Sequence, residues 1–235
     1  MKISQSLIKD VKQFNCSELI KLKYQNFTET EPTKAMMSGL YFESELIGSA
    51  RGGKFEYPLL KNGKKSKAQT DIDVVIKKAK EVFKAMNIEV SKVQYQPKRE
   101  FIIGAIDFIG TIESVKAIFD VKYTGLSFEQ YERELKYSPL RENLEIQASH
   151  YQKMLEEEEL DFYFLVFSEK GWHRVFKQSY SQEVNEIATE RIIDTMQKLE
   201  VLETQKDNRI CAKCRLNDVC TKQVLTAKIE ELCKA

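Results

Sequence analysis

The stretch GAIDFIGTIESVKAIFDVKYTG, residues 104–125, decides the fold of this chain. Residues 99–112 and 115–124 are rich in Ile, Val, Phe and Tyr, which suit a half-buried pleated surface. Between the two runs stand the polar residues Glu113 and Ser114, as expected for a short turn between strands. The stretch therefore predicts two antiparallel strands.

Charged side chains interrupt both strands. Because side chains alternate across a strand, Asp120 and Lys122 should emerge on one face, where Asp107 from the preceding strand can meet them. Two carboxylates in an apolar setting repel each other unless a cation or a shared proton offsets the repulsion. Oxygen ligands suit Mg²⁺ or Mn²⁺, and a neighbouring lysine can orient or deprotonate a water, or stabilise a pentacovalent phosphate. The alternative is a surface salt bridge on an edge strand.

Length and composition set broad limits on the molecule. A chain of 235 residues can bury one sizeable core, or a core with a small appendage. With 37 basic and 36 acidic residues, the chain has no global field that would attract a polyanion, so local patches must do so. The N-terminal sequence does not resemble a signal peptide, and no run approaches the roughly 18 apolar residues of a membrane span. We therefore expect a cytoplasmic protein without membrane contact.

The cysteines indicate a second metal site. Three of the five form a C-x2-C-x5-C pattern: Cys211, Cys214 and Cys220. Three thiols within ten residues suggest a site that lacks one ligand, and the chain has only two histidines, His150 and His173. The most economical fourth ligand is Cys16, which would bring the two ends of the chain together. Zinc and a [4Fe-4S] cluster both fit this spacing, and unligated thiols in a polar loop are the alternative.

The remaining pattern predicts helices and further strands. Apolar residues at helical spacing predict helices at residues 3–14, 33–48, 71–87, 144–155, 182–203 and 222–233. Further strands are predicted at residues 88–96, 160–168 and 172–180, the last two as a hairpin around residues 169–171. Residues 126–143 are charged and less regular, with a break at Ser138 and Pro139.

Two of the predicted helices carry polar residues of interest. Glu43, in the pattern Gly39-x3-Glu43, would ordinarily be solvated, but its apolar neighbours can direct it inward. Gln147 and Tyr151 are four residues apart and so share one face of their helix. By themselves these two indicate a tyrosine packed on the core beside a surface glutamine.

Taken in order, these signals resemble the PD-(D/E)xK nucleases of the RecB type. The resemblance is to their iron-sulphur branch, which includes the CRISPR-associated RecB-like exonucleases and the AddB nuclease domain. It extends over nearly the whole chain, from Cys16 to Cys220. The ordered set, with one early cysteine answering the later three, is more specific than any single motif.

The resemblance implies a fold and an activity. The fold would be a mixed α/β restriction-endonuclease-like core, with a central mixed sheet flanked by helices, in a single domain over residues 1–235. An iron-sulphur cluster would join the terminal segments through cluster-binding elements at residues 14–24 and 208–222. The activity would be metal-dependent hydrolysis of DNA phosphodiester bonds, with an exonuclease expected before an endonuclease. The DNA would be single-stranded or have free ends, with a helicase or a CRISPR or recombination protein as a possible partner.

The resemblance also assigns roles to residues of this chain. Catalytic roles would belong to Asp107, Asp120, Lys122, Gln147 and Tyr151. Glu43, Asp107 and Asp120 would hold Mg²⁺ or Mn²⁺. The cluster ligands would be Cys16, Cys211, Cys214 and Cys220, with zinc as the alternative occupant. Cys233 has no counterpart.

Two positions depart from the pattern of this branch. The first motif usually ends in His where this chain has Glu43, and the D/E-x-K carboxylate is Asp120 where Glu is more common. Both residues can still ligate a hard metal. A catalytically inactive nuclease fold, acting as a DNA-binding or scaffold module in a repair or CRISPR-adaptation complex, is the alternative function. A zinc-binding regulator is a third alternative, which would explain the cysteines but not the Asp-x-Lys pattern of the hairpin.

Overall fold

The computed structural model describes residues 2–14, 16–26, 31–201, 211, 214 and 216–220. The chain divides into two compact units. One unit combines Met1–Glu31 with Glu190–Ala235, and the other is Pro32–Thr189. The single domain over residues 1–235 stays a prediction.

A five-stranded mixed sheet forms the centre of the Pro32–Thr189 unit. Its strands are β1 (Glu89–Tyr95), β2 (Ile106–Ile112), β3 (Val115–Thr124), β4 (Asp161–Ser168) and β5 (His173–Gln178). The spatial order is β1-β2-β3-β4-β5, and all pairs are antiparallel except β3 with β4, which are parallel. The predicted hairpins and the mixed α/β architecture are confirmed.

The turn of the central hairpin is tight. Glu113 and Ser114 have φ angles of 50° and 68°, and the flanking pair Ile112 and Val115 closes the ladder. Two positive φ angles at a two-residue turn match the twist of antiparallel strands, although neither residue is the glycine or asparagine that adopts them most readily. Strand β2 begins at Ile106, seven residues after the start of the predicted apolar run.

Two helices cover one face of the sheet. They are α3 (Lys34–Ile47), which packs on β3, and α4 (Lys67–Ala85), which packs on α3 and β4. Between them and the sheet lies a core of apolar side chains that includes Phe42, Ile72, Ala79, Phe108, Phe119, Leu165 and Phe167. Ser66 caps α4 by accepting a hydrogen bond from the backbone N–H of Gln69, so this helix begins four residues before the predicted start.

The connection from β3 to β4 contains two helices, because parallel neighbours need a crossover. They are α5 (Phe128–Tyr137) and α6 (Leu140–Met154), followed by a 3₁₀ turn at Glu156–Glu158. Residues 126–143 are more regular than predicted, although the predicted break at Ser138 and Pro139 is confirmed, because it separates the two helices. Ser127 and Gln130 form a capping box that starts α5, and Pro139 directly precedes α6, which begins four residues before the predicted start.

The other unit contains short helices from the beginning of the chain. They are α1 (Gln5–Gln13), α2 (Ser17–Ile20) and a π-helical turn at Lys21–Gln25. Asp10 on α1 accepts hydrogen bonds from Lys23 and Tyr24, at 2.6 and 2.7 Å. Helix α7 (Gln182–Val201) begins as predicted, whereas the predicted helix at residues 222–233 lies outside the described residues. No helix in the described ranges is both long enough and apolar enough to cross a membrane.

Candidate active site

The two aspartates of the central hairpin lie opposite each other. Phe108 pairs with Phe119 in the antiparallel register, and the next step of that register places Asp107 across from Asp120. The Asp107 carboxylate accepts a hydrogen bond of 2.9 Å from the backbone N–H of Val121. The side chains of Phe108 and Phe119 point to the opposite face, into the core beneath α3 and α4. The strand alternation read from the sequence therefore brings both carboxylates to one face.

Asp120 is held by two side chains of different origin. Its Oδ1 atom accepts a hydrogen bond of 2.5 Å from the Gln147 amide of α6. Its Oδ2 atom lies 2.6 Å from Nζ of Lys122, two residues further along β3. That contact is an ion pair with the Lys122 ammonium, and the buried Oδ2 has no hydrogen bond to any other group. The Asp120 side chain is 2% exposed whereas that of Lys122 is 36% exposed, so the site opens to solvent at the lysine.

Glu43 comes from the helix that covers the other face. Its Oε1 atom accepts a hydrogen bond of 2.7 Å from the Gln94 amide of β1. Gln94 has a φ of 48°, and the β1–β2 register shifts between Val90 and Lys92, so the strand is irregular near this contact. Glu43 is partly buried, as the apolar residues around it in the sequence predicted.

The three carboxylates share one electrostatic environment. Burial and, to a smaller extent, the negative charge of Asp120 raise the pKa of Glu43 to about 7, against the opposing effect of Lys122. Burial also raises the pKa of Asp107 well above its ordinary value, with further contributions from Asp120 and Glu43. Burial alone would lower the pKa of Lys122, but the charges of Asp120, Asp107 and Glu43 together raise it. The site thus concentrates negative charge around one ammonium group.

Gln147 and Tyr151 lie on the same face of α6, as predicted, and both are buried. The Tyr151 ring stacks on Phe162 of β4, with 6.1 Å between the centroids. A Cβ atom at Gly104 would lie 2.7 Å from this ring, so the glycine leaves the space that Tyr151 occupies. The prediction of a surface glutamine is wrong, because Gln147 is buried against Asp120.

Three further residues contribute to the site and were not found from the sequence. Gln94 binds Glu43, and the positive charge of Arg51 lowers the pKa of that carboxyl. Tyr131 of α5 is buried, and its pKa rises to about 12 because of burial, with opposing effects of Lys122 and Asp120. Of these, only Tyr131 could have been found from the sequence. Ser127-x2-Gln130 is a helix-start pattern, and it would have predicted α5, the helix that carries Tyr131.

The donor set of this site fits a hard divalent cation. Within the residues that the structure describes, no three His, Cys, Asp or Glu side chains are already arranged to hold a metal ion. Each carboxylate is instead bound to a protein donor: Asp107 to a backbone N–H, Asp120 to Gln147 and Glu43 to Gln94. The mutual repulsion of the carboxylates, which the Lys122 ammonium offsets only in part, is what a cation would relieve.

Four cysteines lie around one small cavity in the Met1–Glu31 and Glu190–Ala235 unit. Its lining includes Cys16, at the start of α2, together with Cys211, Cys214 and Cys220. Three leucines, Glu18 and Asn217 also line it, and Cys16 is itself buried. Thiols gathered in an apolar surrounding suit zinc or an iron-sulphur cluster. Cys233 lies outside the described residues.

Comparisons with known proteins bear on the fold. No protein-family model matches this sequence, and no curated protein matches it closely enough to count as a relative. Among solved structures, the chain is similar to a candidate exonuclease from Eubacterium rectale, with a TM-score of 0.65 and 17% identity over 92% of this chain and 88% of that chain. It is also similar to an alkaline exonuclease from Laribacter hongkongensis, with a TM-score of 0.51 and 10% identity over 85% of this chain and 88% of that chain. At these identities the likeness shows a shared fold.

Proposed function

We propose that this protein is a metal-dependent deoxyribonuclease of the PD-(D/E)xK type, and that it degrades DNA from an end. The observation that carries the proposal is the meeting of Asp107, Asp120 and Lys122 on one face of the β2–β3 hairpin, with Gln147 of α6 bound to Asp120. The shared fold with structures described as exonucleases supports it.

The residues of the site would divide the chemistry between them. A Mg²⁺ or Mn²⁺ ion bound by Glu43, Asp107 and Asp120 would supply Lewis-acid activation of the phosphate and a more acidic bound water. The Lys122 ammonium, on the open side of the site, would orient the attacking water or stabilise the charge that develops on the phosphate.

Gln147 and Tyr151 would act as positioning residues. The Gln147 amide holds Oδ1 of Asp120, while Oδ2 lies against the Lys122 ammonium. Tyr151, one turn later on the same helix, is fixed against Phe162 and the space at Gly104. A rigid helix face behind Asp120 would keep the carboxylate in one orientation during the reaction.

We further propose that the cysteine site holds a [4Fe-4S] cluster of the RecB-like iron-sulphur branch, with zinc as the alternative. The support is that Cys16, Cys211, Cys214 and Cys220 line one cavity although about 195 residues separate the first two in sequence. A cluster there would close that long loop, so its role would be structural.

The catalytic proposal is tested by cleavage of end-labelled linear DNA and closed circular DNA, each single- and double-stranded, with Mg²⁺, with Mn²⁺ and with EDTA. Wild-type protein is compared with Asp120→Asn and with Asp71→Asn, a matched change at an exposed aspartate of α4. We expect metal-dependent cleavage of linear DNA that only Asp120→Asn abolishes, with circles spared. Equal cleavage by Asp120→Asn, or no cleavage by well-folded wild-type protein, would refute the proposal.

A further inference from the structure

A groove of about 780 Å³ lies beside the candidate active site in the Pro32–Thr189 unit. Residues of α5, α6, β4 and β5 line it. The residues that bear on its use are Arg133, Lys136, Tyr137, Arg141, Phe164 and Phe176. None of the motifs read from the sequence falls on this groove.

The groove adjoins the carboxylates through one row of side chains across the sheet. Phe164 of β4 pairs with Asp120 of β3, and Phe176 of β5 pairs with Phe164. Paired residues of neighbouring strands share a face, so both rings lie on the face that carries Asp107 and Asp120. Nζ of Lys122 lies 5.9 Å from the centroid of the Phe164 ring. A molecule in the groove would therefore end beside Lys122.

Positive charge predominates along the groove in a chain that is otherwise nearly neutral. Four cations line it, the fourth being Lys177, against two carboxylates, Glu132 and Glu145. Arg141 is paired with Glu145, and Lys177 with Asp161. Among residues 31–201, Arg133 and Lys136 are exposed and form no ion pair with a carboxylate. Both cations are thus available to the phosphates of a polyanion, and Nζ of Lys136 also lies 5.0 Å from the centroid of the Tyr137 ring.

Aromatic surface accompanies the charge. Tyr137, at the end of α5, is 74% exposed, whereas Phe176 is only partly exposed and has the guanidinium carbon of Arg174 5.3 Å from its ring centroid. Exposed rings offer faces on which unpaired bases stack, whereas the bases of a duplex are already stacked on each other. A groove that combines cations with the exposed ring of Tyr137 therefore suits an unpaired strand.

We propose that this groove holds single-stranded DNA and leads the strand to the carboxylate site. The proposal rests on the nuclease function for its direction, since the bound strand would present its phosphates to Lys122. Its contacts are sequence-independent: Arg133 and Lys136 with phosphates, Tyr137 with a base.

The test is the binding of a 5′-fluorescein-labelled 12-residue oligothymidylate, followed by fluorescence anisotropy in EDTA, so that no cleavage is required. The variants are Arg133→Ala/Lys136→Ala and, separately, Tyr137→Ala and Tyr137→Phe. The control is Lys80→Ala/Lys84→Ala, which removes the same charge from exposed positions of α4, on the opposite face of the sheet. Circular dichroism verifies that each variant is folded.

We expect Arg133→Ala/Lys136→Ala to bind the oligonucleotide at least about tenfold more weakly than wild type. The slope of log K against log salt concentration should become shallower by about 1.4, because each lost phosphate contact of a single strand accounts for about 0.7. Tyr137→Ala should lose at least about fivefold, as stacking on one ring predicts. Tyr137→Phe and the α4 control should bind like wild type, and a 12-base-pair duplex should be insensitive to Tyr137→Ala.

Equal weakening by the groove and α4 double variants, or unchanged binding by Tyr137→Ala, would overturn the groove proposal. That outcome is separable from failure of the nuclease proposal. If wild-type protein cuts no DNA while the anisotropy results are as expected, the groove stands and the nuclease fails. If wild-type protein cuts DNA while the groove variants bind normally, the groove proposal alone fails.

Discussion

The burial of Glu43, together with the nearby charge of Asp120, predicts that Glu43→Gln stabilises the metal-free protein at neutral pH. Glutamine keeps the shape of Glu43 and an oxygen that can accept the hydrogen bond from Gln94. It removes a carboxylate whose pKa burial raises from an ordinary value of 4.5 to about 7. A carboxyl with a raised folded-state pKa binds more protons in the folded protein, so it costs stability as pH rises from 4.5 to 7.

The size of the effect follows from that shift. The cost of ionising Glu43 is negligible below pH 4.5, grows through the window between the two pKa values and is complete above pH 7. Proton linkage between these two pKa values lowers the free energy of unfolding by about 1.4 kcal/mol at pH 5.5 and by about 3.4 kcal/mol at pH 8. Glu43→Gln should therefore gain about 2 kcal/mol over wild type between these two pH values.

Urea unfolding in EDTA, followed by far-UV circular dichroism at pH 5.5 and pH 8, measures this difference. Glu45→Gln is the control, because Glu45 lies on the same helix but is 34% exposed and 3.8 Å from Lys54. The difference in free energy of unfolding between Glu45→Gln and wild type should be the same at pH 5.5 and at pH 8. A Glu43→Gln protein that is less stable than wild type at pH 8, or whose advantage does not change with pH, would refute the account of the carboxylate cluster.

Three further predictions concern the turn, the α6 contact and the cysteines. Replacing Glu113 and Ser114 by Asn and Gly should raise the free energy of unfolding by about 1–2 kcal/mol in urea titrations, because both φ angles are positive; unchanged stability would contradict this. Gln147→Ala should cost about 1–3 kcal/mol in the same titrations, because a buried carboxylate oxygen loses its donor; a cost below about 0.5 kcal/mol would refute it. Anaerobically purified protein should be brown, with a visible absorption band. Cys16→Ala should abolish this band and lower the free energy of unfolding by about 5 kcal/mol, whereas Cys233→Ala should retain both. A colourless, zinc-containing wild type would refute the cluster.

The strands of the central hairpin could be predicted well from the sequence. Strand β3 has the predicted bounds, Val115–Thr124, since its run of Ile, Val, Phe and Tyr is interrupted only where side chains alternate to the active-site face. Asp107, Asp120 and Lys122 were predicted to share a face for the same reason, and the register places them there. Period-2 alternation is a local property, so a single strand carries the signal.

Other features could not be predicted because they depend on distant residues. Gln94 binds Glu43 across 51 positions of sequence, and nothing local to either residue indicates the contact. Helix α5 was missed although Phe128, Tyr131 and Leu135 recur at helical spacing, because charged residues fill most of its other positions and only Tyr131 is buried. The groove needs helices and strands from separate parts of the chain, so it exists only in the folded unit.

The catalytic role of Lys122 is tested by single-turnover cleavage of a 5′-labelled DNA strand in Mg²⁺ by wild type, Lys122→Met and Lys116→Met. Lys116 is a matched control: it lies on the same strand and face as Lys122 but about 20 Å away, and it is paired with Glu158. Loss of a group that stabilises developing charge should slow Lys122→Met by about a hundredfold or more, while Lys116→Met cuts at the wild-type rate. Wild-type cleavage by Lys122→Met, or an equal loss in Lys116→Met, would contradict the assignment of this site.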